Sequence, residues 1–185
     1  PDPVPGPRQV LIEMRGASVN FADIKARAGA YHLGKKPPYI PGIDIAGVVV
    51  KTGSKVKKVE VGDHVIAFPA AGAYAEKTVA DEDLVFVIPR AIAFPVAAAA
   101  PIVAGMAMHM LTRVARIEKS EVLLVHGAAG GVGTAAVQIA RALGVNRVIA
   151  SVGSPWKAEK LSTLGVEAVV DYTTDDYDEQ VLALT

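Results

Sequence analysis

Cysteine is absent from this chain. That excludes disulfides, thiolate catalysis and any cysteine-ligated metal. An excess of charge of either sign is also missing. The 19 lysines and arginines balance the 19 aspartates and glutamates, so nothing points to nucleic acid or to an anionic membrane surface. Lys51, Lys55, Lys57 and Lys58 cluster locally, and a solvated hairpin accounts for them. No long hydrophobic run is present: the most apolar segment, Ala97–Leu111, is alanine-rich and broken by Pro101 and Gly105, which is unsuited to a bilayer. Pro1-Asp2-Pro3-Val4-Pro5 is not a charged-then-apolar leader, and the expectation is a soluble cytoplasmic protein. Internal repeats and low-complexity tails are lacking too. With 185 residues, 51% of them apolar, the chain can bury the core of one to two domains.

What the chain does have is concentrated in Glu121–Gly144. Glu121–Val125 is a short apolar run, as expected of a strand buried on both faces of a parallel sheet. His126–Gly133 packs four glycines into eight residues. Thr134–Leu143 has helix-compatible composition, with Val137, Ile139, Ala140 and Leu143 on one face and Gly144 as a stop. Strand, glycine-rich turn and helix is the arrangement in which backbone N–H groups hold a pyrophosphate. Read as G-x-G-x-x-G, the motif is Ala128-Ala129-Gly130-Gly131-Val132-Gly133, with alanine at the first glycine. Ala129, Gly130, Gly131 and Val132 are the candidate phosphate contacts, and Gly133 lets helix and strand pack closely.

One more absence bears on the cofactor. The next strand, Arg147–Val152, ends at Gly153, roughly 20 residues after the motif, where an NAD-binding unit places an acid on the ribose. Here the chain reads Gly153-Ser154-Pro155-Trp156-Lys157, with no acid before Glu159. A carboxylate would repel a 2′-phosphate, whereas a hydroxyl and an ammonium attract it. Lys157 reads either as a solvated first-turn lysine or as a phosphate ligand, and the missing acid favours NADPH over NADH.

Two textures divide the chain. In residues 1–92, short alternating runs at Gln9–Arg15, Ile45–Lys51, Val65–Phe68, Tyr74–Val79 and Leu84–Ile88 read as strands of a small barrel, interrupted by a helix over Phe21–Ala28. In residues 93–185, Pro95–Ala115 reads as one helix bent at Pro101. Strand 121–125, helix 134–143, strand 147–152, helix 156–164, strand 168–171 and a helix from Asp175 to Leu184 follow. That is βαβαβ, one half of a doubly wound fold. Three parallel strands are fewer than such a sheet holds, and the expectation is the N-terminal part of a longer polypeptide.

The ordered segments 17–31 (ASVNFADIKARAGAY), 41–68 (PGIDIAGVVVKTGSKVKKVEVGDHVIAF), 72–89, 126–133 (HGAAGGVG) and 152–172 (VGSPWKAEKLSTLGVEAVVDY) together resemble the medium-chain dehydrogenase/reductase superfamily. The resemblance is specifically to its zinc-independent quinone oxidoreductase branch. It implies a GroES-like β-barrel domain, a Rossmann doubly wound parallel sheet of which this chain holds the first half, a cofactor cleft between them, and a homodimer.

In zinc-dependent relatives, cysteine stands where this chain has Asn20, and Gly-His-Glu where it has Gly42-Ile43-Asp44. An amide, an isoleucine and an aspartate cannot make a thiolate–imidazole zinc site, so no metal is expected. His32, His64, His109 and His126 lack mutual ligand spacing and read as ordinary surface or core histidines. Asn20 and Asp23 read as helix N-cap and N3 acid of a near capping box. By resemblance, Asn20 also faces the nicotinamide or substrate, and Tyr31 matches a tyrosine beside the nicotinamide. The resemblance further places Tyr172 near the adenosine phosphate with Lys157, beside Gly153 and Ser154. Trp156 either stacks on adenine or packs on the adjoining helix, with packing favoured. Met106 and Ala107 stand where relatives carry Leu-Thr, which removes one expected hydroxyl contact.

The function implied is hydride transfer from NADPH to a quinone or α,β-unsaturated carbonyl, electrophiles that need little polarisation by a metal. No residue stands out as a proton donor. An enoyl-thioester reductase of the same superfamily and a non-catalytic NADPH-binding protein are the alternatives. No nucleic-acid or membrane partner is expected.

Overall fold

The computed structural model describes residues 2–30, 37–70 and 72–185. Two compact units succeed one another, Pro1–Ile102 and Val103–Thr185. The first holds an antiparallel sheet of β1 (Gln9–Ala17), β2 (Ile45–Thr52), β3 (His64–Ala67), β4 (Lys77–Asp81) and β5 (Val85–Val87), in the order β4-β1-β2-β3-β5. β1 carries two register irregularities against β2, at Leu11/Ile12 and Met14/Gly16, and such irregularities bend a strand and increase its twist. The sheet therefore wraps around one cluster drawn from all five strands: Val10, Ile12, Ile45, Val65, Ala80 and Val85 are each at most 5% exposed.

Helix α1 (Phe21–Arg27) is capped at Asn20, and Asp23 accepts the Asn20 N–H at 2.9 Å, the reciprocal half of the expected capping box. The strand anticipated at Tyr74–Val79 starts later, at Lys77. Ala73 and Tyr74 instead donate their N–H groups to Pro41 at 2.9 and 3.0 Å, so this stretch is tied to another loop before the ladder begins. The stretch Pro95–Ala115 is three pieces: α2 (Phe94–Ala99), α3 (Pro101–His109) and a π-helical turn, Met110–Ala115. The break falls at Ala100, immediately before Pro101, as a proline without an N–H requires. Arg116, with φ 55°, closes the π turn in the left-handed region. α2 buries Ala97 and Ala98 against Ala46 of β2, so packing places it with the first sheet. The packing division, after Ile102, lies ten residues beyond the boundary at 92/93 drawn from sequence texture.

In the second unit, β6 (Val122–Val125), β7 (Arg147–Val152) and β8 (Ala168–Asp171) form a parallel sheet in that order. The connections are α4 (Gly131–Ala142) and α5 (Pro155–Ser162), and α6 (Tyr177–Leu184) follows β8. Val148, Ala150, Val137, Ala140 and Leu161 form its core. β7 is buried along nearly its whole length. β6 departs from the expectation of a strand covered on both faces: only Val125 is buried, and Leu124 is 37% exposed. Among the described residues β6 pairs only with β7, which leaves its outer edge bare.

Candidate functional site

Helix α4 begins three residues earlier than its composition suggests, so Gly131, Val132 and Gly133 form its first turn, behind Gly130 as N-cap. Within an α-helix these leading N–H groups have no acceptor. The turn before them is held by Ala128 donating to the Ser151 carbonyl at 3.0 Å and Gly130 donating to the Gly127 carbonyl at 3.0 Å. Gly133 is obligatory here. A Cβ on it would lie 2.6 Å from the Ala128 Cα and 2.7 Å from the Gly127 carbonyl oxygen, both backbone atoms. At Gly130 a Cβ would meet only the Gly127 oxygen, at 3.4 Å, which leaves its outer side open to a ligand. A pocket of about 570 Å³ opens over this turn, lined by Met110, Leu123, Leu124, His126 and the glycines 127, 130, 131 and 133. Ala107, at the position read from sequence as lacking a hydroxyl, also lines it. A glycine-lined mouth against a helix N-terminus is chemically suited to an anion.

The carboxyl ends of β7 and β8 carry the remaining candidates. Gly153 follows β7, and Ser154 is the N-cap of α5, its hydroxyl buried without a hydrogen-bond partner. The Lys157 ammonium sits 5.5 Å from the centroid of the Trp156 ring, and Lys160 lies over the same ring at 5.8 Å. Trp156 is 60% exposed, so it does not pack on the adjoining helix as the sequence suggested; it serves as a platform for two lysines. Tyr172, next after β8, stacks its ring 5.0 Å from that of His126. Ala129, Gly130, Gly131, Val132, Gly153, Ser154, Lys157 and Tyr172 therefore all lie on the carboxyl-terminal side of this one parallel sheet.

In the first unit Asn20 belongs to a buried polar cluster. Its Nδ2 donates to the Asp44 Oδ1 at 2.8 Å and to the Ser18 hydroxyl at 2.8 Å. Ser18 in turn donates to the same Asp44 oxygen, and the Ile102 N–H reaches the other at 3.3 Å. A carboxyl oxygen facing the amide fixes its orientation, because the opposite flip would set two acceptors against each other. Both amide hydrogens of Asn20 are thereby used, and the residue is only 9% exposed. Sequence reading left its other atoms free for a ligand; the structure engages the donor pair internally. Tyr74 closes the cluster, donating to the Ser18 carbonyl and the Asp23 Oδ2, each at 3.0 Å. Burial of its hydroxyl, then the hydrogen bond to Asp23, push the Tyr74 pKa up to about 12. The other sequence candidate in this region, Tyr31, lies outside the described residues.

Sequence reasoning missed Asp44, Tyr74 and the pair His126–Ser151, whose Nδ1 and Oγ are 2.8 Å apart. Asp44 did carry a signal, an acid at the entry to a buried apolar strand, and it is 1% exposed. Among the described residues no three His, Asp or Glu side chains gather in a metal-binding group, and no helix is long and apolar enough to cross a membrane.

Comparison with known proteins agrees with this architecture. Residues 6–90 match the alcohol dehydrogenase GroES-like domain family, and residues 131–185 the zinc-binding dehydrogenase family. The quinone oxidoreductase of Mus musculus is 36% identical over 180 residues, covering 97% of this chain and 54% of that protein. The crystal structure of Escherichia coli quinone oxidoreductase complexed with NADPH superimposes with a TM-score of 0.89 at 33% identity, over 97% of this chain and 55% of that one. A structure described as an NAD-dependent alcohol dehydrogenase gives a TM-score of 0.92 at 30% identity, over 100% of this chain and 62% of that one. The chain spans about half the length of the curated relatives it matches. With both domain families matched in order and quinone oxidoreductases among its relatives, the chain belongs to the medium-chain dehydrogenase/reductase superfamily, in its zinc-independent quinone oxidoreductase branch.

Proposed function

We propose that the protein is an NADPH-dependent reductase that transfers hydride to a quinone or α,β-unsaturated carbonyl. In this reading residues 1–92 contribute the substrate-side domain and residues 93–185 the first part of the nucleotide domain. The observation that carries it is the pairing of free N–H groups at the start of α4 with an acid-free end of β7. A dinucleotide needs both: donors for its pyrophosphate, and a ribose site whose charge suits the 2′ substituent. The residues present fit the phosphorylated form. Ser154 offers a buried hydroxyl with no other partner, and Lys157 is a cation in the first turn of the same helix.

The bound nicotinamide supplies the hydride. Gly131, Val132 and Gly133 orient the pyrophosphate through their N–H groups, with Ala129 and Gly130 shaping the approach. Gly153, Ser154, Lys157 and Tyr172 receive the adenosine end and its phosphate. Asn20 acts through architecture: its amide is held by Asp44 and Ser18, which fixes the N-cap of α1. Among the described residues no donor set suits zinc, and quinones and enones are electron-poor enough to accept hydride without one.

The test is a titration of the full-length protein with NADPH and NADH, followed by NADPH oxidation against quinones, enones and enoyl-thioesters. NADPH is expected to bind at least about tenfold better, as one charge-assisted phosphate contact contributes about 1.5–3 kcal/mol. Lys157→Glu should reverse much of that preference. Equal wild-type affinities sink the cofactor assignment, and binding without turnover of any acceptor sinks the enzymatic one.

A further inference from the structure

The sequence holds no cysteine and four methionines, so its sulfur chemistry falls to thioethers alone. Three of the four are neighbours at alternate positions: Met106 and Met108 in α3, and Met110 at the head of the π-helical turn. They are 50%, 43% and 50% exposed. Met14 differs, being partly buried in β1 and packed against the core of the first unit. Met110 alone of the four lines the pocket of about 570 Å³ over the glycine-rich turn. We infer that Met110 is an oxidation site, where a hydroperoxide converts the thioether to a sulfoxide and thereby closes the pocket to an anionic ligand. The effect on the ligand rests on the dinucleotide reading proposed above; the reactivity of the sulfur does not.

The step is an oxygen transfer. The sulfur lone pair attacks one peroxide oxygen, an S–O bond forms and the O–O bond breaks. The thioether gives up two electrons, and the proton of the transferred hydroxyl ends on the leaving oxygen. Hydrogen peroxide therefore leaves as water, and an alkyl hydroperoxide as an alcohol. The oxidant must reach the sulfur, which exposure permits at Met110 and core packing restricts at Met14. With no thiolate in the chain, no faster internal sulfur competes for the oxidant.

The consequence follows from what else borders the pocket. Unmodified, Met110 is an apolar arm with three rotatable bonds, and it shares the pocket wall with Ala107, Leu111 and Leu123. As a sulfoxide the same arm carries a polar oxygen that only accepts hydrogen bonds. Gly131, Val132 and Gly133 border the same pocket, and their N–H groups have no acceptor within α4. The sulfoxide oxygen offers those donors a partner from the chain itself, which a pyrophosphate must displace. It also sets a partly negative oxygen against the phosphate oxygens. Met106 and Met108 lie outside the pocket lining, so their oxidation leaves its mouth unchanged. Because sulfoxides are reduced enzymatically, the closure is reversible.

The test treats the full-length protein with hydrogen peroxide and removes the excess with catalase. Peptide mass spectrometry then follows each methionine, fluorescence titration gives the NADPH dissociation constant, and thermal melts establish folding. Met110 is expected to oxidise well ahead of Met14, and NADPH affinity to fall about tenfold in step with sulfoxide at 110. Methionine sulfoxide reductases of both epimer specificities, with dithiothreitol, should restore it. Each variant is read against its own untreated sample. Met110→Leu should lose the peroxide effect on affinity, whereas Met106→Leu combined with Met108→Leu should keep it. Met110→Gln, which carries a permanent acceptor on an arm of similar length, should bind NADPH about tenfold more weakly than wild type without any oxidant. The inference fails if Met110 stays a thioether while Met14 oxidises, if oxidised wild type binds as tightly as before, or if Met110→Leu remains as sensitive as wild type. A wild type that binds no dinucleotide before oxidation overturns this inference and the proposed function together.

Discussion

The two units each gather polar side chains at one end of a sheet, and they use them in opposite ways. Around Asn20 every strong donor is matched: the amide, the Ser18 hydroxyl and the Ile102 N–H converge on Asp44, and Tyr74 turns inward to Asp23. Around the start of α4 and α5 the matching is left undone. The first N–H groups of α4 face a pocket, and the Ser154 hydroxyl is buried with no partner. Unmatched buried polar groups cost stability, so each calls for an explanation, and a ligand that pairs with them is the one proposed for Ser154. The Asn20 cluster leaves one buried acceptor, the Asp23 Oδ1, without a partner, but its donors are engaged internally, so it presents none to an anion.

The largest expected effect separates two glycines of the same turn. Gly133→Ala drives a Cβ to within 2.6–2.7 Å of backbone atoms that cannot swing aside, and should cost about 4 kcal/mol or unfold the second unit. Gly130→Ala meets only one oxygen, at 3.4 Å. It should leave the melting temperature nearly unchanged and yet weaken NADPH binding about tenfold or more, since the methyl stands where the phosphates approach. Melting and fluorescence titration of both variants read this difference. If Gly130→Ala binds as well as wild type, the open face of the turn is not the phosphate site.

The glycine-rich turn could be found from sequence because everything that defines it is local: a strand, a run of small residues and a helix within 24 residues. The same holds for the end of β7 at Val152, which Gly153 and Ser154 follow. Element starts were less legible. α4 opens at Gly131, because glycine's low intrinsic helix propensity yields to the packing of Gly133 on Ala128. Tyr74–Glu76 alternates like a strand, but the Tyr74 N–H is claimed by Pro41, 33 residues away in sequence. Contacts between distant residues were not legible at all. Asn20 meets Asp44 across 24 positions and His126 meets Ser151 across 25, and no periodicity reports such pairs. The sequence could therefore name Asn20 as a candidate without showing that its donors were already engaged.

Asp44 sharpens the comparison at the next level of effect. Asp44→Ala leaves the Asn20 amide, the Ser18 hydroxyl and the Ile102 N–H without their acceptor inside a site only 1% exposed at residue 44. Loss of about 2–3 kcal/mol is expected. Asp44→Asn should recover part of this, as its one remaining oxygen can still accept. NADPH affinity of the folded fraction should change less than about threefold, since the cluster is architectural. Chemical denaturation and cofactor titration on the same samples check both parts. A large affinity loss with unchanged stability would move this cluster from architecture to ligand binding.

Tyr74 gives the smallest and most specific effect, one that appears only in alkali. Its hydroxyl is held protonated to about pH 12 by burial and by Asp23, against an ordinary value of 10.0. Because the folded-state pKa is the higher one, the unfolded chain releases this proton first as pH rises. The stabilisation is therefore fully present below pH 10 and is lost progressively between about pH 10 and pH 12. A shift of this size would be worth more in a dry site, but Tyr74 is 37% exposed, and solvent screening reduces the expected contribution to about 1 kcal/mol. Other tyrosines and lysines titrate in the same range, so the informative quantity is the difference between wild type and Tyr74→Phe. Wild type should be the more stable by about 1 kcal/mol at pH 8, and the gap should close by pH 12. A gap that stays constant across that window would mean that the Asp23–Tyr74 hydrogen bond contributes nothing, and that the cluster is held by Asp44 alone.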